Sequence, residues 1–129
     1  MMRWRRQWPL WIGAVIAAGT TLAVVPARAH KPNVKAGQAK YQQFCVSCHG
    51  TSGKGDGPQA SFLGVKPVDF ADAKLMKSLK DEDLFKAIKE GGPAVGKSPL
   101  MPPSAGILSD QDIRNIVAYI RTLANPANK

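Results

Sequence analysis

The sequence predicts an all-α domain in which short helices are joined by long loops, and three observations predict it. Near the carboxyl end, apolar residues recur at the i, i+3, i+4, i+7 spacing of one helical face. They are Ile113, Ile116, Val117, Ile120 and Leu123. Between apolar segments, glycine and proline cluster as they do in loops. No segment alternates apolar and polar residues in the manner of a half-buried strand.

The amino terminus predicts an export signal. Three arginines within the first six residues precede an uncharged, largely apolar run at 10–25, and a small-residue A-x-A site ends at Ala29. The run is shorter than the roughly 20 apolar residues of a spanning helix, although a retained anchor is the alternative. We therefore predict a signal peptide at 1–29, cleaved after Ala29, and a periplasmic domain at 30–129.

Charge and size restrict the function of the mature chain. The first 29 residues hold four of the 18 basic side chains and none of the nine acidic ones, so the remaining 100 residues carry 14 basic and nine acidic groups, or +5. This balance favours acidic protein partners. It lacks the dense basic patch interleaved with aromatic residues that nucleic-acid binding requires.

The first half of the domain contains one clear helix, at Lys35–Phe44. GTSGKGDGP, from Gly50 to Pro58, has too many glycines for regular structure. A helical turn is predicted at Gln59–Leu63 and an extended segment at 66–70. The segment Ala71–Leu79 is ambiguous.

Two helices are predicted in the second half. Asp81 is predicted to cap a helix at Glu82–Glu90, which ends at Gly91-Gly92-Pro93 by the usual glycine-then-proline signal. Ser109 and Asp112 have the spacing of a capping box and begin the helix that carries the apolar stripe.

The motif CVSCH, from Cys45 to His49, offers an explanation for the long loops at 50–79 and 91–107. Such loops are unusual in a domain this small, and a bulky cofactor would organise them. Two thiols three residues apart at a helix end can reach the vinyl groups on one edge of a haem, and Nε2 of the adjacent histidine can ligate the iron. C-x-x-C-H is accordingly typical of covalent c-type haem attachment.

Other interpretations of this motif fit the chain less well. A thioredoxin-like pair would lie beside a βαβ pattern, and none is present in the sequence. A structural zinc site needs four ligands, whereas the mature chain has two cysteines and two histidines, one of them the terminal His30. An ordinary disulfide leaves His49 unexplained.

From Lys35 to Leu123 the chain resembles the class I c-type cytochromes, the small periplasmic monohaem electron carriers. CVSCH follows the first helix, GDGP follows CVSCH, a Met-Pro pair comes late, and a helix with an aromatic residue closes the domain. The resemblance implies a cytochrome c fold wrapped around one covalently bound haem c. It also implies a crossing of the first and last helices, packed by Gly37, Tyr41, Phe44 and Tyr119.

The resemblance further implies the residues around the iron. It suggests that the backbone carbonyl of Pro58 accepts a hydrogen bond from Nδ1 of His49, which would orient the ring. The second axial ligand is predicted to be Met101, in PLMPPSAG between the last two helices, where neighbouring prolines restrict the backbone. Met76 is the other methionine of the mature chain, and its flanking residues predict ordinary apolar packing.

GGPAVGKS, from Gly91 to Ser98, also fits the phosphate-binding pattern G-x-x-x-x-G-K-[ST]. That motif follows a strand and opens a helix at its Lys-Ser pair. Here a predicted helix precedes it, and Pro99 disfavours helical geometry at Ser98. We therefore interpret the match as coincidental.

These features predict a periplasmic carrier of one electron on a haem with His49 and Met101 as axial ligands, rather than an enzyme. The expected partners are redox proteins with acidic surfaces, such as an oxidase, reductase or dehydrogenase, with Lys54, Lys66 and Lys97 around the haem edge. Two alternatives stay open: an electron-accepting subunit of a dehydrogenase or reductase complex, and a ligand-binding or peroxidatic haem protein if Met101 does not bind iron.

Overall fold

A computed structural model describes residues 30–125. The predicted signal peptide and its cleavage site, together with residues 126–129, lie outside them. The described part contains five α-helices: α1 (Val34–Phe44), α2 (Val46–His49), α3 (Ala73–Ser78), α4 (Asp81–Glu90) and α5 (Asp110–Ala124). It contains no strand, only an isolated bridge between Ala105 and Leu108. The all-α prediction is confirmed.

The core of the fold is the packing of α1 against α5. Gly37 makes this close approach possible, because a Cβ atom there would lie 1.8 Å from the backbone oxygen of Asn115. Tyr41 and Tyr119 meet nearby, with ring centroids 5.2 Å apart and both side chains buried. Phe44 is the exception to the predicted crossing, since it is 41% exposed and lines a cavity instead.

Helix α5 has the predicted cap and the predicted apolar face. The Ser109 hydroxyl accepts from the Asp112 amide, and the Asp112 carboxylate accepts from the Ser109 amide, so the capping box is formed. All five residues of the predicted stripe are buried. Their burial against α1, α3 and α4 makes this helix the centre of the hydrophobic core.

The junction between α3 and α4 differs from the prediction. The ambiguous segment contains the short helix α3, which Asp72 caps by accepting from the amides of Lys74 and Leu75. Asp81 is not the cap of α4 but its first residue. Its carboxylate instead accepts a hydrogen bond of 2.7 Å from Nε of Arg121. The side chain that the sequence predicts to cap α4 therefore contacts α5.

The loops contain two further turns of 3₁₀ helix, at Ala60–Phe62 and Gly92–Val95. The second begins the phosphate-loop-like segment, which follows helix α4 rather than a strand and opens no helix at Ser98. The phosphate-binding interpretation is therefore excluded by the geometry it needs. Among residues 30–125, none of the helices has the length and apolar character needed to span a membrane.

Candidate functional site

CVSCH lies where α1 passes directly into α2. Cys45 ends α1, and the amides of Cys48 and His49 both donate to its carbonyl, at 3.3 and 2.9 Å. The chain then turns sharply at Gly50, whose φ of +77° favours glycine. The buried hydroxyl of Tyr41 donates to the Gly50 carbonyl at 2.8 Å, which ties the end of the motif to the α1–α5 core.

The glycine-rich loop folds back onto the motif. Its amides cap the carbonyls at the end of α2: Gly55 donates to His49 at 2.9 Å and Gly57 to Cys48 at 3.2 Å. Gln59 donates to Ser47 at 2.8 Å. A Cβ atom on Gly57 would lie 2.4 Å from the Val46 oxygen, so only glycine allows this approach. The glycines of GDGP thus serve to cover the haem motif closely.

The imidazole of His49 stacks on Phe70, with ring centroids 4.7 Å apart and an interplanar angle of 16°. Burial lowers the pKa of His49, although the nearby Val68 backbone opposes this shift in part. The neutral ring favoured by burial is the form that ligates metals.

Nδ1 of His49 is buried and has no hydrogen-bond partner. The predicted bond to the Pro58 carbonyl is therefore not formed in this structure. A buried polar atom without a partner is uncommon in native proteins, which makes the surroundings of His49 unusual among the described residues.

The two thiols are free and partly buried, and no disulfide joins them. Burial, with a smaller contribution from the neighbouring Cys48, raises the pKa of Cys45 to about 11. Residues 30–125 contain no group of three or more His, Cys, Asp and Glu side chains that could hold a metal ion.

A cavity of about 870 Å³ opens beside the motif, and Cys45, Cys48 and His49 all line it. Met101 lines the same cavity from a distant part of the chain, whereas Met76 is 2% exposed and belongs to the hydrophobic core. The structure thus brings the predicted haem motif and Met101 to one cavity and keeps Met76 out of it.

The remaining walls of the cavity are mainly apolar. Sequence reasoning did not identify most of them, because their apolar spacing indicated only a helix face or a loop. They include Val68, Phe70, Leu79, Leu84, Ile88 and Ile120. A large apolar cavity bordered by two thiols, an imidazole and a thioether matches the donor set and bulk of a haem.

Charged side chains also border the cavity. Lys66 and Lys97 line it as predicted for the haem edge, and Lys86 joins them. Asp83 is the acidic residue of the lining. Lys54 is exposed but does not line the cavity, so its grouping with the other two lysines is not supported.

Comparisons with known proteins agree with this site. The family model described as Cytochrome c matches residues 34–124. Cytochrome c-554(547) of Halothiobacillus neapolitanus is 34% identical over 88 residues, which cover 68% of this chain and 93% of that protein. Cytochrome c-554(548) of Halomonas halodenitrificans is 35% identical over 75 residues, or 58% and 78% of the two chains.

A solved structure described as KustC0563 c-type cytochrome is similar in fold. It superimposes with a TM-score of 0.55 at 29% sequence identity, over 67% of this chain and 95% of that one. The similarity to all three proteins thus extends over most of the described domain.

Proposed function

Because the chain belongs to the cytochrome c family, and is thus an electron-transfer protein with covalently bound haem c, we propose that it carries single electrons in the periplasm. Cys45 and Cys48 form the thioether bonds, and His49 and Met101 are the axial ligands. The observation that carries this assignment is the single cavity lined by all four residues. When bound, haem supplies an iron that alternates between the ferrous and ferric states.

The protein's own residues prepare the two axial positions. Burial keeps the His49 imidazole neutral and therefore able to bind iron. Met101 offers a soft thioether, and a Met/His pair raises the reduction potential. The mainly apolar walls exclude water from the ring, which acts in the same direction through the low local dielectric.

Pro58 is proposed as the acceptor for Nδ1–H of His49 in the haem-loaded protein. Two observations support it: Nδ1 has no other partner, and the residues on either side of Pro58 are hydrogen-bonded to α2, at Cys48 and Ser47. This bond would orient the ring and make it a stronger ligand.

Matched methionine variants test the axial ligation. We expect the ferric protein to show the weak far-red absorption of a methionine–iron bond, lost in Met101→Leu and kept in Met76→Leu. Leucine conserves volume at the buried Met76, so folding is affected little. Loss of the band in Met76→Leu alone would contradict the assignment. A wild-type protein with no band, which binds imidazole readily, would favour the ligand-binding alternative.

The proposed export is tested by the tryptophans. We assign residues 1–29 to the cleaved signal, and Trp4, Trp8 and Trp11, all three tryptophans of the chain, precede Ala29. The protein isolated from the periplasm should begin at His30. After proteolytic digestion and removal of the haem-bearing peptide, its remaining peptides should show no ultraviolet absorption from tryptophan. An amino-terminal sequence that retains Trp4 would show that the segment is kept as an anchor.

A further inference from the structure

The loop that carries Met101 is built around Gly92. The Gly92 carbonyl accepts from the amide of Lys97 at 2.9 Å, and the Gly92 amide donates to the carbonyl of Met101 at 3.0 Å. The two peptide groups of this one residue therefore bond both ends of the turn from Lys97 to Met101. Within that turn, the Met101 amide donates to the Ser98 carbonyl at 3.3 Å.

The backbone of the turn also packs directly on the Gly92 Cα atom. A Cβ atom at this position would lie 2.1 Å from the Ser98 oxygen and 3.3 Å from the Met101 Cβ atom. The first distance is far below any ordinary contact, and the obstructing atom belongs to the backbone. Any side chain at Gly92 must therefore displace the turn that presents Met101.

The chain beyond Met101 is attached to the same helix end. The amide of Ser104 donates to the Ile88 carbonyl and that of Ala105 to the Lys89 carbonyl, both at 3.0 Å. These carbonyls lie in the last turn of α4, where a helix lacks its own donors. Because Ile88 lines the cavity, the methionine loop and the cavity wall are held as one unit.

We propose that Gly92 is the positioning residue for the Met101 ligand. Its lack of a side chain and its two backbone hydrogen bonds fix the Met101 thioether relative to the haem. This inference rests on the proposed ligation by Met101. It also explains two glycines of the phosphate-loop-like segment, Gly91 and Gly92, which pack closely against the turn rather than bind phosphate. Functional groups must be held to within about 0.5 Å, so a displaced turn weakens the bond to iron.

Gly92→Ala isolates this effect. Gly92 does not have a positive φ, unlike Gly91 at +88° and Gly96 at +69°, so alanine there meets a steric obstacle without backbone strain. We expect the ferric variant, with its haem still covalently attached, to lose most of its far-red band and to bind imidazole at least about tenfold more tightly, because Met101 competes less well for the iron.

Two controls distinguish positioning from general damage. Gly96→Ala strains the same loop, but its Cβ meets nothing within 4 Å. Gly37→Ala places a Cβ 1.8 Å from the Asn115 oxygen at the α1–α5 crossing, so it lowers overall stability. Both variants should keep the far-red band and an imidazole affinity within about threefold of wild type.

A second measurement needs no variant and serves if Gly92→Ala yields no haem-loaded protein. By reciprocal coupling, displacing Met101 from the wild-type iron with imidazole should accelerate hydrogen exchange of the Gly92 and Lys97 amides about tenfold, and leave the Ile113 amide unchanged. Unchanged exchange at Gly92 and Lys97 would overturn the proposal, as would a Gly92→Ala protein with the wild-type band and imidazole affinity. A wild-type protein without the band would instead refute ligation by Met101.

Discussion

At the residue scale, one hydroxyl joins the haem motif to the hydrophobic core. Tyr41 is fully buried in α1, and its hydroxyl donates to the carbonyl of Gly50, the residue that follows CVSCH. The carbonyl lies at a glycine with φ of +77°, where the chain reverses towards the GDGP loop. The Gly53 amide donates to the same carbonyl at 3.2 Å, so this side chain and one backbone bond together hold the turn beside His49.

Tyr41→Phe tests this contact. Phenylalanine keeps the ring but removes one of two donors to the buried Gly50 carbonyl, which keeps only the Gly53 amide at 3.2 Å. We therefore expect the free energy of unfolding to fall by about 1 kcal/mol. Denaturant unfolding of the haem-loaded protein measures it. Tyr119→Phe is the matched control, since its hydroxyl forms no hydrogen bond within residues 30–125, and should change stability by less than about 0.5 kcal/mol.

The same residue predicts a pH dependence. Burial, as the largest cause, raises the pKa of Tyr41 far above its ordinary value. Below about pH 10 the tyrosine is protonated in both states, whereas above it the unfolded chain alone loses the proton. Stability should therefore fall as pH rises above about 10, and less steeply in Tyr41→Phe. An identical slope in both proteins would exclude a contribution from this hydroxyl.

At the element scale, Arg121 of α5 organises the junction between α3 and α4. Its Nη1 donates to the Met76 carbonyl, its Nη2 to the Leu79 carbonyl at 2.6 Å, and its Nε to Asp81 at 2.7 Å. The two carbonyls end α3, which has no donors of its own for them. Leu79 lines the haem cavity, so this arginine also supports the cavity wall.

Arg121→Gln should lower the free energy of unfolding by about 2 kcal/mol or more, because two part-buried carbonyls lose a charged donor. Asp81→Asn should cost less than about 1 kcal/mol, since the Asp81 side chain is 65% exposed and exposed ion pairs contribute little. Thermal or denaturant unfolding compares the two. Equal losses would mean that the ion pair, rather than the carbonyl hydrogen bonds, stabilises this junction.

The elements with a strong local signal could be predicted from the sequence. The Ser109–Asp112 cap and the apolar stripe of α5 depend on residues within a few turns of one another, and CVSCH contains its chemistry within five residues. The sequence of helix α3 gives an ambiguous signal because the helix is six residues long and mostly exposed. Its position depends on Arg121, about 45 residues away along the chain, which no local pattern reveals.

In the candidate site, too, only the features that depend on neighbouring residues could be predicted from the sequence. Proline neighbours favour a loop position for Met101 and an apolar context favours core packing for Met76. Of these two methionines the structure places Met101 at the cavity and Met76 in the core, while ligation by Met101 stays a prediction. The apolar walls and the packing at Gly92 could not be read, since a glycine in a loop has many possible causes and only the contact with Ser98 identifies this one.

At the scale of the whole molecule, the charge around the cavity matters for association. Lys66, Lys86 and Lys97 line it against one acidic residue, Asp83. Such a rim attracts anionic reactants by long-range steering. Lys54 carries the same charge but lies away from the cavity lining. It therefore contributes to the net charge of the protein but not to the charge around the cavity.

Lys97→Glu and Lys54→Glu change the net charge equally and therefore form a matched pair. We expect Lys97→Glu to slow oxidation of the reduced protein by ferricyanide about threefold or more at low ionic strength, and Lys54→Glu to slow it less. Near 1 M salt, where the Debye length is about 3 Å, the difference should vanish. Equal effects of the two variants at low salt would show that electrons do not pass through this side of the molecule.

The most direct test of the whole account is to locate the haem on the chain. The purified protein is extracted with acidified acetone, digested with a protease and analysed by mass spectrometry, with free thiols alkylated beforehand. We predict one haem retained per chain, on the peptide that contains both Cys45 and Cys48, with neither thiol alkylated. Haem released into the acetone, or alkylation of either cysteine in the coloured protein, would contradict attachment through CVSCH.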